Sequence, residues 1–218
     1  MMDIAIYGAG GFGREVLTLL EQVNTQERRY NFIGFFDDGK VRGSDINGYL
    51  VLGGIDELNT YEGKLALILA LGDPIVKKTI FAKIKKHDVI YPSLIHPSVI
   101  VGDWNYVTIG KGCVICAGCL ITVNITIHDF TILNLGCTVG HDTEIGAFSS
   151  FMPSVNISGE VKIAEGVYVG TGVKIINQLN IGDWAIVGAG AVVARNLPAC
   201  CTAVGIPAKP IKYHEMNL

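Results

Sequence analysis

From Ile109 onward an apolar residue returns at every sixth position: Ile115, Ile121, Ile127, Leu133, Val139, Ile145, Phe151, Ile157, Ile163, Val169, Ile175, Ile181, Val187 and Val193. Two places before many of them stands a short or β-branched residue, among them Val107, Cys113, Cys119, Thr131, Cys137, Thr143, Val155, Val161, Val167 and Val173. The place after is often glycine, as at Gly110, Gly140, Gly146, Gly170, Gly182 and Gly188. An α-helix has no period of six, and hairpin sheets do not hold one register so long. The pattern predicts a β-helix in which each hexapeptide supplies one short strand and one corner. Three hexapeptides make a coil, so each aliphatic stacks on its counterpart eighteen residues away, and no single coil buries its own core.

The first ninety residues follow another pattern. Residues 3–7 read as a strand, and Gly10 to Gly13 as a turn into a helix at Arg14–Val23 with Val16, Leu19, Leu20 and Val23 as its apolar stripe. Strands follow at 32–36 and 65–71, a helix at about 75–86 and a short strand at 89–90, with the glycine-rich stretch between the second and third strands read as loop. Such alternation predicts a parallel sheet flanked by helices, about half the size of a two-lobed dinucleotide-binding domain. The expected division is therefore 1–92 for an α/β half-Rossmann domain, 93–205 for a left-handed parallel β-helix and 206–218 for a tail.

Composition narrows the partners. With 17 basic and 20 acidic residues interspersed, net charge −3, there is no basic face for nucleic acid. No apolar run reaches the roughly 18–20 residues that span a bilayer, and no signal-like segment opens the chain. A soluble, cytoplasmic protein without membrane insertion is expected. The six cysteines read as reduced thiols, four of them in the repeat where a compact buried hydrophobe fits. Cys113-x-x-Cys116 lacks the two further ligands of a tetrahedral zinc site, so no metal is expected.

Two features carry chemistry. Gly8, Gly10 and Gly13 have the G-x-G-x-x-G spacing of a phosphate-binding turn. Among five histidines, His141 is followed by Asp142, whose carboxylate could orient the ring; the residues alone allow either a catalytic base or an inert surface histidine.

The runs IGKGCV, IGDWAI and VGAGAV resemble the hexapeptide acyltransferases. Together with GAGGFG, FFDD, LALGDP, NLGCTVGHDTEIGAF and VGIPAKPI, they make nearly the whole chain similar to the bacterial nucleotide-sugar acetyltransferases, which include sialic acid O-acetyltransferase-like proteins and UDP-4-amino-sugar N-acetyltransferases. The resemblance implies direct acetyl transfer from acetyl-CoA to an amino sugar, with His141 as general base, Asp142 raising its basicity and the Gly159 amide receiving the oxyanion. It implies acetyl-CoA contacts at Ser150, Gly159, Thr171 and Ala189, and Lys209 near a coenzyme phosphate. Gly10, Gly11 and Phe12 are implied at the diphosphate, Asp37, Asp38 and Gly72 around the nucleotide, and Asn134 near the sugar. The relatives are trimers, which implies a homotrimer with sites between neighbouring prisms. Departures are Phe12 and Ser150, where relatives can carry histidine, and Asp142, where some have glutamate.

Acetylation of a sugar or serine hydroxyl needs the same base and oxyanion donor and stays open. The glycine motif taken alone would instead suggest an NAD-dependent oxidoreductase, or a scaffold that only binds a nucleotide.

Overall fold

The computed structural model describes residues 1–215. The N-terminal part contains β1 (Met2–Tyr7), α1 (Gly11–Gln26), β2 (Tyr30–Phe36), β3 (Asp45–Ile46), β4 (Tyr49–Gly53), α2 (Ile55–Thr60), β5 (Leu65–Leu69), α3 (Pro74–Lys83) and β6 (Val89–Ile90). Its sheet runs β3-β4-β2-β1-β5-β6, parallel except for β3 against β4. The stretch expected to be loop holds β3, β4 and α2. Asn47 and Gly48, both at positive φ, form the two-residue turn that pairs Ile46 with Tyr49.

Beyond β6 the chain winds as a left-handed prism with three faces. The first face stacks Leu94–Ile95, Val114–Ile115, Ile132–Leu133, Ser150–Phe151, Tyr168–Val169 and Ile186–Val187 under Cys201–Val204. The second runs from Ile100–Val101 through Thr138–Val139 and Asn156–Ile157 to Val192–Val193, and the third from Val107–Ile109 through Glu144–Ile145 to Asn180–Ile181. Pairing is in the expected register: Leu133 joins Ile115 below and Phe151 above, eighteen residues either way. All the six-spaced aliphatics except the half-buried Ile109 at the open lower end are buried in one continuous core.

The glycines after the aliphatics serve close approach, not unusual φ. A Cβ on Gly140 would come within 2.6 Å of Gly159 N, and one on Gly170 within 2.6 Å of Ala189 N, each in the coil above. Left-handed backbone occurs instead two residues later, once per coil at each edge. On the edge between the second and third faces the residues that adopt it are Asn124, Asp142, Glu160 and Gln178.

The α/β domain sits on the first face. Ala9, Leu17 and Phe35 share a cluster with Leu94, Val114 and Ile132, while Phe81 packs against Phe130 and Phe148 at the edge between the third and first faces. The segment expected as a tail is partly ordered as a strand, Lys209–Tyr213, which pairs antiparallel with Cys201–Val204.

Candidate active site

His141 leaves the second face just after Thr138–Val139, at a corner where the chain must turn within three residues. Its Nδ1 lies 2.7 Å from Asp142 Oδ2, and Asp142 Oδ1 accepts 2.9 Å from Asn124 Nδ2 in the coil below. The hydrogen bond from His141, then that from Asn124, hold the Asp142 carboxyl below its usual range. With Nδ1–H donating to a carboxylate, the tautomer leaves the Nε2 lone pair open. The ring lies against Gly159, directly above: a Cβ there would come within 2.5 Å of both Cε1 and Nε2. His141 is otherwise about half exposed. His128 also meets a carboxylate, Glu144 at 3.0 Å, but lies at a different edge, so a carboxylate partner alone does not single out a base.

Backbone donors accompany the ring. The N–H groups of Gly159, Thr171 and Ala189 have no hydrogen-bond partner among the described residues. Gly159 shares the edge of His141, whereas Asn134, Thr171 and Ala189 stand on the edge between the first and second faces. The residues singled out in the sequence therefore fall into two groups within one chain, with the second face between them.

Asn134 is 6% exposed and its Oδ1 caps the N–H of Leu135 at 2.7 Å; its own backbone is not left-handed, contrary to the simplest reading of a corner asparagine. Ser150 is fully buried, and its hydroxyl accepts from Lys77 Nζ at 3.0 Å. This buried contact leaves the side chain no direct route to a coenzyme. Nothing in the sequence flagged Lys77, whose only polar partner is seventy-three residues away. Lys209 is exposed on the terminal strand.

In the α/β domain the glycine motif divides by role. Gly13 lets α1 approach β1, since a Cβ there would run into the Gly8 carbonyl oxygen, while Gly8 itself is at positive φ with a Cβ position 2.8 Å from the Ala70 carbonyl oxygen. Gly10 has open space where a Cβ would stand, and it begins a sixteen-residue helix without a side-chain cap. Its loop and the Gly11 and Phe12 amides can face an anion. The Phe12 side chain turns into the seam with the β-helix. Asp37 Oδ2 accepts from Ala9 N at 2.7 Å and Oδ1 from Gly39 N, while Asp38 Oδ1 accepts from Ile55 N, so both carboxylates brace the loops at the strand ends. Gly72 borders a cavity of about 430 Å3 together with Asp73, Pro74, Met152, Tyr168 and Trp184.

All six cysteines are free, and burial pushes the Cys113 and Cys116 thiols up to about 11 and about 12, away from nucleophilic chemistry. Among the described residues no three His, Cys, Asp or Glu side chains are placed to hold a metal ion, and no helix is long and apolar enough to cross a membrane.

A hexapeptide β-helix presenting a histidine–carboxylate pair beside the unpaired Gly159 amide is the architecture of a hexapeptide-repeat acetyltransferase, and comparison with known proteins bears out that class. The PglD N-terminal domain family matches residues 3–84. GDP-perosamine N-acetyltransferase of Escherichia coli O157:H7 is 32% identical over 219 residues, covering 98% of each chain. PerB of Caulobacter crescentus, solved with CoA and GDP-perosamine, superposes with a TM-score of 0.87 at 30% identity over 97% of this chain and 98% of its own. The acetyltransferase domain of PglB from Neisseria gonorrhoeae FA1090, solved with acetyl coenzyme A, does so with a TM-score of 0.84 at 30% identity over 96% and 98%. The chain belongs to the family of nucleotide-sugar N-acetyltransferases, and it is an acetyl-CoA-dependent acetyltransferase.

Proposed function

We propose that the enzyme transfers the acetyl group of acetyl-CoA to the amine of a nucleotide-linked amino sugar. GDP-perosamine, the ligand bound by PerB, is the first candidate acceptor. The observation that carries this reading is the packing of His141 between Asp142 and Gly159, beside an unengaged amide. The acceptor nitrogen attacks the thioester carbonyl carbon, and His141 Nε2 takes a proton from it as the new C–N bond forms. The carbonyl oxygen gathers negative charge and is received by the Gly159 N–H. Collapse breaks the C–S bond, and the departing coenzyme thiolate recovers the proton held by His141. Asp142 fixes the ring and offsets its transient positive charge.

Thr171 and Ala189 receive the pantetheine arm through their amides, and Lys209 a coenzyme phosphate. Gly10, Gly11 and Phe12 present amides to the diphosphate, with Asp37, Asp38 and Gly72 around the nucleotide and Asn134 near the sugar. Because these groups lie across the second face from His141, the site is completed by a second copy in a homotrimer.

The test is release of CoA thiol from acetyl-CoA against a panel of UDP-, GDP- and CMP-linked amino and hydroxy sugars. Turnover with one amino sugar, lost in His141→Ala, is the expected result; unchanged turnover in that variant would overturn the mechanism. NAD binding without CoA binding would overturn the function.

A further inference from the structure

Among the Asp, Glu, Lys, Arg and His side chains of the described residues, Lys77 alone is fully enclosed, 1% exposed, in the seam between α3 and the first face. Its Nζ makes a single hydrogen bond, to Ser150 Oγ. No carboxylate pairs with it; Asp73, at the start of its own helix, and Cys113, on the β-helix, are the ionisable groups whose charge would reach it. Around it the seam is apolar, with Val114 and Ile132 on the same face as Ser150.

A buried amine without an anionic partner is unfavourable, and an apolar side chain of similar length would fill the space at lower cost. What the amine adds is direction. Apolar surfaces tolerate sliding over each other, whereas a hydrogen bond weakens steeply once its distance or angle is lost. The next residue supplies a second fixed point: Lys78 pairs with Glu165 and lies over the Trp184 ring, 5.0 Å from its centroid, toward the third face. Two restraints to different parts of the prism fix both the distance and the rotation of α3.

The start of α3 is where this matters. Asp73 caps the helix by accepting from the N–H groups of Ile75 and Val76, so Gly72 and Asp73 move with it. Gly72 faces Met152, which lies two residues beyond Ser150 on the edge that carries Asn134 and Thr171. The helix thus joins the strand ends of the α/β domain to the corner of the β-helix.

We infer that Lys77 is a positioning residue for the transfer reaction: held on Ser150, it sets the gap between the Gly72 loop and the Met152 corner, and so the approach of the acceptor sugar to the thioester. The inference rests on the acceptor placement proposed above.

The experiment is steady-state kinetics of Lys77→Met with each substrate varied in turn, together with amide hydrogen exchange over residues 72–76 without ligands. The expected result is a KM for the nucleotide sugar raised about tenfold, a KM for acetyl-CoA within twofold of wild type, and faster exchange confined to residues 72–76. A general loss of packing would instead move both KM values together and lower the thermal midpoint. Should Lys77→Met fail to fold, Ser150→Ala, which removes only the hydroxyl, carries the same test. Both KM values unchanged and exchange unaltered would overturn the inference while wild-type turnover upholds the proposed function. A wild-type enzyme that turns over no nucleotide sugar would overturn the two together.

Discussion

The imidazole of His141 lies on the bare Cα of Gly159, one coil above it, so closely that a Cβ would stand 2.5 Å from Nε2. Gly159 does not adopt left-handed backbone, so it is the ring and not the turn that excludes a side chain. Gly159→Ala should therefore fold normally and displace the histidine. A fall in kcat of roughly a hundredfold is expected, with a thermal midpoint within a few degrees of wild type. Kinetics and differential scanning fluorimetry on one preparation check both halves; full activity would show that the ring need not rest there.

Asp142 supplies a pH-dependent restraint. Its carboxyl is held low in the folded state by His141 and Asn124, so this contribution is present above the unfolded value of about 3.9 and lost as pH falls through the lower folded value. Asn124→Gly removes one of the two hydrogen bonds and keeps the left-handed backbone that Asn124 adopts. Its thermal midpoint should lie below that of wild type at pH 6–7, and the difference should shrink as pH drops into the range where Asp142 is protonated. Melting curves from pH 7 to pH 2 provide the check, and a difference independent of pH would rule out the carboxylate as its source.

At Lys77 the charged form is penalised rather than favoured, yet stability again rises with pH. Burial, the largest influence, takes the amine down to about 7. Between that value and the unfolded value of about 10.4 the unfolded chain binds the extra proton, so stability rises with pH across the window. Lys77→Met has no such proton to take up. Its stability advantage over wild type should be greatest below pH 7, on the order of 3–5 kcal/mol less the lost bond to Ser150, and should decline steadily toward pH 10. Denaturant titrations at several pH values measure this directly.

The proposed division of the site between edges of neighbouring subunits predicts complementation. His141→Ala damages one half, and Asn134→Ala the other. Mixed by unfolding and reassembly at equal amounts, the two inactive chains should regain about a quarter of wild-type activity, since half of each kind of edge is intact and pairing is random. Activity that stays at the level of the separate variants would place both groups in one subunit.

How much of this was legible beforehand depended on the range of each interaction. The prism was readable because its inward positions repeat at a fixed interval, and one sequence carries fourteen copies of the signal after Ile109. His141 and Asp142 stood out because they are adjacent. The Asn47-Gly48 turn was equally local and would have revealed β3 and β4 had the dipeptide been weighed as a hairpin signal. Ser150 was different. Its partner comes from another domain, so no reading of the repeat could show that its hydroxyl was already engaged. The spacing of Thr171 from His141, thirty residues and so not a whole number of eighteen-residue coils, already separates their edges.

The eighteen-residue coil that brings Gly159 over His141 also makes the enzyme modular along its axis. The proposed base and oxyanion donor need two consecutive coils and no more. A whole coil added between Val193 and Cys201 would leave that pair untouched while carrying Lys209 and its strand one layer further away, about 4.8 Å. Insertions that are not a multiple of six would turn every later aliphatic off the core, and six or twelve residues would carry the terminal strand to another face. Evolution and design alike can therefore lengthen the prism, with its terminal strand kept on the same face, only in whole steps of the stack.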